Sequence, residues 1–188
     1  MKIRKLLFVT IVMTLAGSCH KSDFNKPPIG LLYQGQVANK DGVEGLLIGA
    51  YSLLDGFSSD EHGGTGFYGT STSNWLWGSI CGTEAHTGSQ QTDQPQMRDI
   101  EKFNATASDY YFDAKWNSVY TGVARTNTVL RVMREAKDMT PADTTEVRAE
   151  ALFLRAFYHF EAAKLWHNVP FVDDNVTYDK GNYYLDNT

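Results

Sequence analysis

The stretch "EALFLRAFYHFEAAKLWHNVPF", Glu150 to Phe171, constrains this chain more than any other. Thr140, Pro141 and Asp143 supply an N-cap, a first-turn proline and an acid at the third helical position. The helix they open is predicted to run to about Trp166 and to stop before Pro170. At 100° per residue, Val147, Ala151, Leu154, Tyr158, Ala162 and Leu165 share one face. Ala149, Leu152, Phe153, Ala156, Phe160 and Ala163 form a second face, nearly opposite. Glu150 and Glu161 lie in one seam between them, and Arg148, Arg155 and His159 in the other. A helix apolar on two faces needs cover from two sides, so it is expected to be an inner member of a helical stack. The charges then sit where they can reach solvent or pair with neighbouring helices.

Two further helices are legible. "NKDGVEGLLIGAYSLLDG" places Val43, Leu46, Leu47, Ala50 and Leu54 on one face, with Asn39 as N-cap and Gly56 as stop. Gly42, Gly45 and Gly49 weaken it by about 1 kcal/mol each relative to alanine and suggest close approach of a neighbouring helix. "TASD" offers Thr106 as an N-cap with Asp109 three residues on. Phe112, Trp116, Val119, Val123, Leu130 and Met133 then form a stripe through about Ala136. Asn127 lies close to that stripe and reads as a buried amide bonded to backbone.

From Gly56 to about Thr106 no helical period persists. The segment is rich in glycine, serine and threonine, yet Phe67, Tyr68, Trp75, Trp77 and Ile80 want burial or a ligand. It reads as a long ordered loop, and loops of that length usually serve a function. Trp75, Trp77 and Tyr68 can stack on the C–H faces of a sugar, and Asn74, Glu84, His86, Gln90, Gln91 and Asp93 can bond its hydroxyls. The alternative is that the aromatic residues, Trp77 and Phe67 above all, pin the loop to the helices.

The first residues are an address. Lys2, Arg4 and Lys5 precede the apolar run "LLFVTIVMTL", which is too short to span a bilayer and reads as a secretory signal peptide over 1–18. Ala16, Gly17 and Ser18 before Cys19 resemble a bacterial lipobox, making Cys19 the lipid-bearing residue. Removing the leader takes three of the 17 basic residues and none of the 22 acidic ones, so the net charge moves from −5 to −8. That balance argues against nucleic-acid binding. With Cys19 acylated, Cys81 has no disulfide partner and reads as a buried thiol. No HExxH motif, cysteine pair or histidine spacing suggests a metal, and no cofactor is indicated.

The organisation expected is thus a signal peptide (1–18), a lipid-anchored tether (19–38) broken by Pro27-Pro28, and a helical domain (39–188). The fold class expected is all-α. Three helices, one needing cover on both faces, are too few for a closed stack, so the domain is expected to be an incomplete portion of something longer.

"RAEALFLRAFYHFEAAKLWHNVPFV" resembles the signature helix of the SusD/RagB family of outer-membrane nutrient-binding lipoproteins. The matching residues are Glu150, Ala151, Phe153, Leu154, Arg155, Ala156 and Pro170, with His167 where the family prefers glycine. Trp116, Tyr120, Arg125 and Asn127 match too, as does "CHKSDFNKPPIG" after the cysteine. The resemblance implies a tetratricopeptide-like helical superhelix, a lipid anchor facing the cell exterior, and no enzymatic step. It implies that the chain captures oligosaccharide or polysaccharide and hands it to a SusC-like TonB-dependent transporter. It also implies that the glycan site is partly built from the loop around Trp75 to Gln94. The family's starch binders carry tryptophans late in that loop. Here "EAHTGSQQTD" has His86 as its only ring, so starch specificity does not carry over. Two rival classes are a surface glycoside hydrolase, with Asp60, Glu61, Glu84 and Asp93 as carboxylates, and a helical-repeat adaptor for a protein partner.

Acyl chains contribute about 0.8 kcal/mol per buried methylene, so an acylated Cys19 holds the chain on a membrane. Cys19→Ala is expected to release it, and a mutant retained in a carbonate-washed membrane pellet would remove the lipoprotein reading.

Overall fold

The structure is a computed structural model that describes residues 34–55, 75–177 and 181. The chain divides into a leading unit, Met1–Gly35, and a body, Gln36–Thr188. Cys19, Phe67, Tyr68 and Asn74 lie outside the described residues, as do Asp60 and Glu61. The described residues contain helices and no strand.

Helix α1 spans Lys40–Tyr51 and tightens into a 3-10 turn, Ser52–Leu54. Asn39 caps it as expected, its Oδ1 accepting from Gly42 N at 2.9 Å. Helix α2, Pro95–Glu101, is short. Helix α3 spans Tyr110–Met133 and α4 spans Pro141–Trp166. The capping box at Thr140 is complete: Asp143 N donates to Thr140 Oγ1 at 3.2 Å, and Thr140 N donates back to Asp143 Oδ2 at 3.0 Å.

The start of α3 differs from expectation. Asp109, not Thr106, is the N-cap: its Oδ1 accepts from Tyr111 N at 2.9 Å while its backbone stays extended. Both residues are of capping type, and the backbone becomes helical only after Asp109. The helix ends at Met133, three residues short of Ala136. The segment read as a loop is not wholly irregular either. It holds α2 and a π-helical turn, Trp75–Ile80, both too short to show a helical period.

Helices α1, α3 and α4 form a three-helix bundle, with α3 antiparallel to both others. Paired contacts set the directions. Lys40 and Ala50 on α1 meet Asp143 and Tyr158 on α4 in the same order, whereas Lys115 and Asn127 on α3 meet Glu161 and Arg155 on α4 in the opposite order. The core holds Val43, Leu47, Leu53, Val123, Leu130, Val147, Leu154 and Tyr158. Tyr158 is fully buried; its hydroxyl donates to Ala50 O at 2.5 Å, and its ring lies so close to Gly122 that a Cβ there would sit 2.6 Å from it. Gly122 therefore sets the α3–α4 spacing. The glycines of α1 do not act in this way. A Cβ at Gly45 or Gly49 would meet nothing within 4 Å, and one at Gly42 would strike Val37 O of its own chain. Gly45 and Gly49 instead line an open groove with Thr121, Ala124 and Thr128.

The two faces of α4 have different fates. Val147, Ala151, Leu154, Tyr158 and Ala162 are buried, whereas Phe153 is 68% exposed and Phe160 61%. Among the described residues nothing covers this second face. Of the seam charges, Arg148 is exposed and the others find partners. Glu150 accepts from Tyr51 Oη at 2.8 Å. Glu161 takes the buried Lys115 ammonium at 3.1 Å and Lys164 at 2.5 Å. Burial pulls the Lys115 pKa down while Glu161 pulls it back up; removing either partner would strand a buried charge.

A methyl group at position 122 forces Tyr158 or a helix to move. Gly122→Ala is expected to cost about 1–3 kcal/mol, the range for overpacking, read as a lowered denaturant midpoint with an unchanged slope.

Candidate functional site

The segment 75–105 folds into a lobe with its own small core of Leu76, Ile80, Met97 and Ile100, completed by Tyr111 from α3. Trp75 and Trp77 are half-buried against it, and the Trp77 ring stands 5.0 Å from Phe112. Trp77 therefore pins the lobe to α3, the alternative weighed for it. Tyr111 donates its hydroxyl to Gln94 Oε1 at 2.6 Å. Cys81 is an unpaired, half-buried thiol whose pKa burial pushes up.

Charged side chains hold the loop 86–94 in shape from within. Asp93 Oδ2 accepts from Ser89 N and Gln90 N, each at 2.9 Å. Gly88, at φ 67, lies so close that a Cβ there would sit 2.5 Å from the Asp93 Cβ. Arg98 on α2 donates to Thr87 O at 3.1 Å and Gln90 O at 2.6 Å. Glu101, at the end of α2, accepts from Thr87 N and Oγ1, and its Oε1 lies 2.6 Å from His86 Nδ1. The His86 and Thr87 bonds hold the Glu101 carboxyl down to about 2.

Of the residues singled out for sugar contact, His86, Gln90 and Gln91 are exposed on this loop and Glu84 is exposed just before it. Trp75 is half-buried in the lobe's core. Asp93 is half-buried, with one carboxylate oxygen on the loop backbone. The sequence reading missed Arg98 and Glu101, which hold the loop. Their signal was an acid and a base on a helix too short to be recognised. Among the described residues no group of three or more His, Cys, Asp or Glu is placed to hold a metal ion, and no helix is long and apolar enough to cross a membrane.

A family model for SusD-like proteins, described as "Starch-binding associating with outer membrane", matches residues 65–184. The chain belongs to that family. No curated protein and no solved structure matches it.

Four of the positions that the sequence matched to the SusD-like signature, Tyr120, Asn127, Arg155 and Pro170, fasten the segment after α4 across α3 and α4. Tyr120 donates to Pro170 O at 2.9 Å, and Asn127 Nδ2 to Val172 O at 3.1 Å. Asn127 is thus the backbone-bonded amide the sequence suggested. Arg155 donates to Asn127 Oδ1 at 3.0 Å and to Asp174 Oδ1 at 2.7 Å, while Arg134 pairs with Asp174 Oδ2. Burial pushes the Asp174 carboxyl up, but the two guanidiniums outweigh it and hold it down to about 2. His159 accepts from Val172 N on Nε2, so its Nδ1–H donates to Arg155 O at 2.9 Å, the neutral tautomer. Burial lowers its pKa accordingly. Trp116 packs between Tyr120 and Trp166, with ring centroids 4.5 and 5.0 Å away. Arg125 ties down the end of α1 through Gly49 O and Ser52 Oγ. Phe153 and Ala156 of the signature are instead exposed.

The position where the resemblance leads one to expect glycine is strained. His167, at the C-cap of α4, sits at φ 59, ψ −94, where a Cβ is strained. His167→Gly is expected to raise stability by about 1 kcal/mol, the strain relieved less glycine's added chain entropy. Urea unfolding reads it, and a lowered midpoint would mean that the imidazole contributes more than its backbone conformation costs.

Proposed function

We propose that this chain is a cell-surface lipoprotein that captures oligosaccharides without cleaving them and passes them to a SusC-like TonB-dependent outer-membrane transporter. Membership of the SusD-like family over residues 65–184 carries this reading. In it, Cys19 bears the anchor and the chain faces the cell exterior. Trp75 and Tyr68 stack on sugar rings, and Asn74, Glu84, His86, Gln90, Gln91 and Asp93 bond hydroxyls. The loop chemistry favours this assignment. Glu84, His86, Gln90 and Gln91 are exposed donors and acceptors on a backbone braced by Asp93, Arg98 and Glu101, so little ordering entropy is lost when a ligand arrives. The net charge of −8 left after the leader is removed suits neutral glycans better than anionic ones.

Calorimetry of the mature chain against a panel of host and plant oligosaccharides, with chromatography of the products, tests both halves of the reading. Trp75→Ala is expected to weaken binding by about 1–3 kcal/mol, the size of losing an aromatic contact surface, with Trp75→Phe as the folding control. Sugar release that depends on Glu84 or Asp93 would favour a hydrolase. Binding untouched by Trp75→Ala and by replacement of residues 84–93 would move the site elsewhere.

A further inference from the structure

The segment 167–177 is fastened to α3 and α4, and one of its fasteners titrates. Val172 N donates to His159 Nε2 at 3.1 Å, and Asn127 Nδ2 donates to Val172 O at 3.1 Å. Both backbone polar groups of Val172 are thus met by side chains of the bundle, the N–H by α4 and the carbonyl by α3. The Asn127 amide keeps its donor at every pH. An imidazole accepts only while it is neutral; once protonated, both of its nitrogens are donors.

The surroundings favour the neutral ring. His159 is only 9% exposed. On its own helix, its Nδ1–H donates to Arg155 O at 2.9 Å, and burial together with the Arg155 charge lowers its pKa. From α3 it meets the Tyr120 ring, 6.2 Å away, whose phenol burial pushes up to about 12 and so keeps uncharged. From the segment it meets the Phe171 ring, 4.9 Å away. The acids nearby in the chain are engaged elsewhere. Asp174 is held by Arg155 and Arg134, Asp173 by Asn175, and Glu161 by Lys115 and Lys164. Among the described residues no carboxylate bonds the His159 ring.

Protonation reverses the contact. Nε2–H would face Val172 N–H, donor against donor, and a second positive charge would join Arg155 in a buried setting. Lifting Val172 away from α4 relieves both. The other ties do not titrate in the same range. Burial pushes the Asp174 carboxyl up, but Arg134 and Arg155 hold it down to about 2, so its pairs with them survive to far lower pH. The bond from Tyr120 to Pro170 O needs no charge. Because the folded ring's pKa is lowered from its ordinary 6.5, the His159 tie is fully present above that value and is lost as pH falls through the lowered one.

We propose that His159 is an acid-sensitive latch: neutral, it fastens Val172 and the middle of the segment 167–177 to the bundle; protonated, it releases them while the three-helix core stays folded. The latch stands on the geometry of α3, α4 and this segment and does not depend on the oligosaccharide-capture reading.

The test follows amide hydrogen exchange in the isotopically labelled mature chain by magnetic resonance, from about pH 7.5 to about pH 4.5, with protection taken relative to an unstructured peptide at each pH. Protection of the Val172 amide is expected to fall about five- to tenfold across this range, the size of losing one hydrogen bond, while that of the core residues Val123 and Leu130 holds. The fall is expected to share its midpoint with the titration of the His159 ring, read from its nitrogen shifts. His159→Gln is expected to keep Val172 protected throughout, since its amide oxygen accepts without titrating. Wild-type protection of Val172 that stays level, or that falls with a midpoint other than that of His159, would overturn the latch. So would an equal fall in His159→Gln, or core protection lost at the same pH, which would mean unfolding of the whole bundle. The comparison of wild-type midpoints needs no variant, so it decides the matter even if His159→Gln does not fold.

Discussion

The bundle depends on one contact, the ring of Tyr158 laid against the bare backbone of Gly122. Tyr158 is fully buried, and its hydroxyl reaches across to Ala50 O, so one side chain of α4 touches both other helices. The hydroxyl could not be buried without an acceptor, and the ring could not fit if α3 carried a side chain there. The remaining α3–α4 pairs follow from the spacing this contact sets. Lys115 meets Glu161 on one side of it, and Asn127 meets Arg155 on the other. Those pairs are polar and buried or half-buried, and their geometry fixes the register of two long helices that apolar packing alone would leave free to slide.

A chain of rings runs over this frame from the lobe to the segment after α4. Trp77 contacts Phe112, Phe112 contacts Trp166, Trp166 contacts Trp116, and the series continues through Tyr120 and His159 to Phe171. Most of these rings meet edge-on or tilted, the arrangements that aromatic quadrupoles favour. Arg155 stands over the last ring at 5.8 Å. The lobe and the segment 167–177 are therefore fastened to the bundle by the same side chains. Tyr120, Asn127, Arg155 and Pro170 shape a scaffold, and the exposed polar residues Glu84, His86, Gln90 and Gln91 lie in the lobe fastened to it.

The outward face of α4 obeys a different logic. Ala149, Phe153, Ala156, Phe160 and Ala163 repeat at alternating intervals of four and three, the seam of a helix that meets another helix. Within the described residues that seam is open. Lys164 lies over the Phe160 ring at 5.4 Å, and the apolar surface is otherwise presented to solvent. The wheel's two apolar faces thus meet different surroundings: one is buried against α1 and α3, and the other is exposed among the described residues.

The sequence by itself determined what acts within a turn or two of chain. The apolar periods of α1, α3 and α4, the caps at Asn39 and Thr140, the two-faced character of α4 and the backbone-bonded Asn127 were all legible, because each is a local pattern of side-chain type. It also carried the family resemblance. The sequence could not assign Gly122, whose role exists only because Tyr158 arrives from another helix. It missed α2, because seven residues with only Met97 and Ile100 buried are too short to show a period. It chose Thr106 over Asp109 as a cap, because both carry the needed oxygen and only the path of the backbone separates them. It could not see that Glu101 would hold His86 or that Lys115 would be buried against Glu161. Each of these was decided by tertiary structure, since each pairs groups brought together by packing or depends on a backbone angle that composition does not encode.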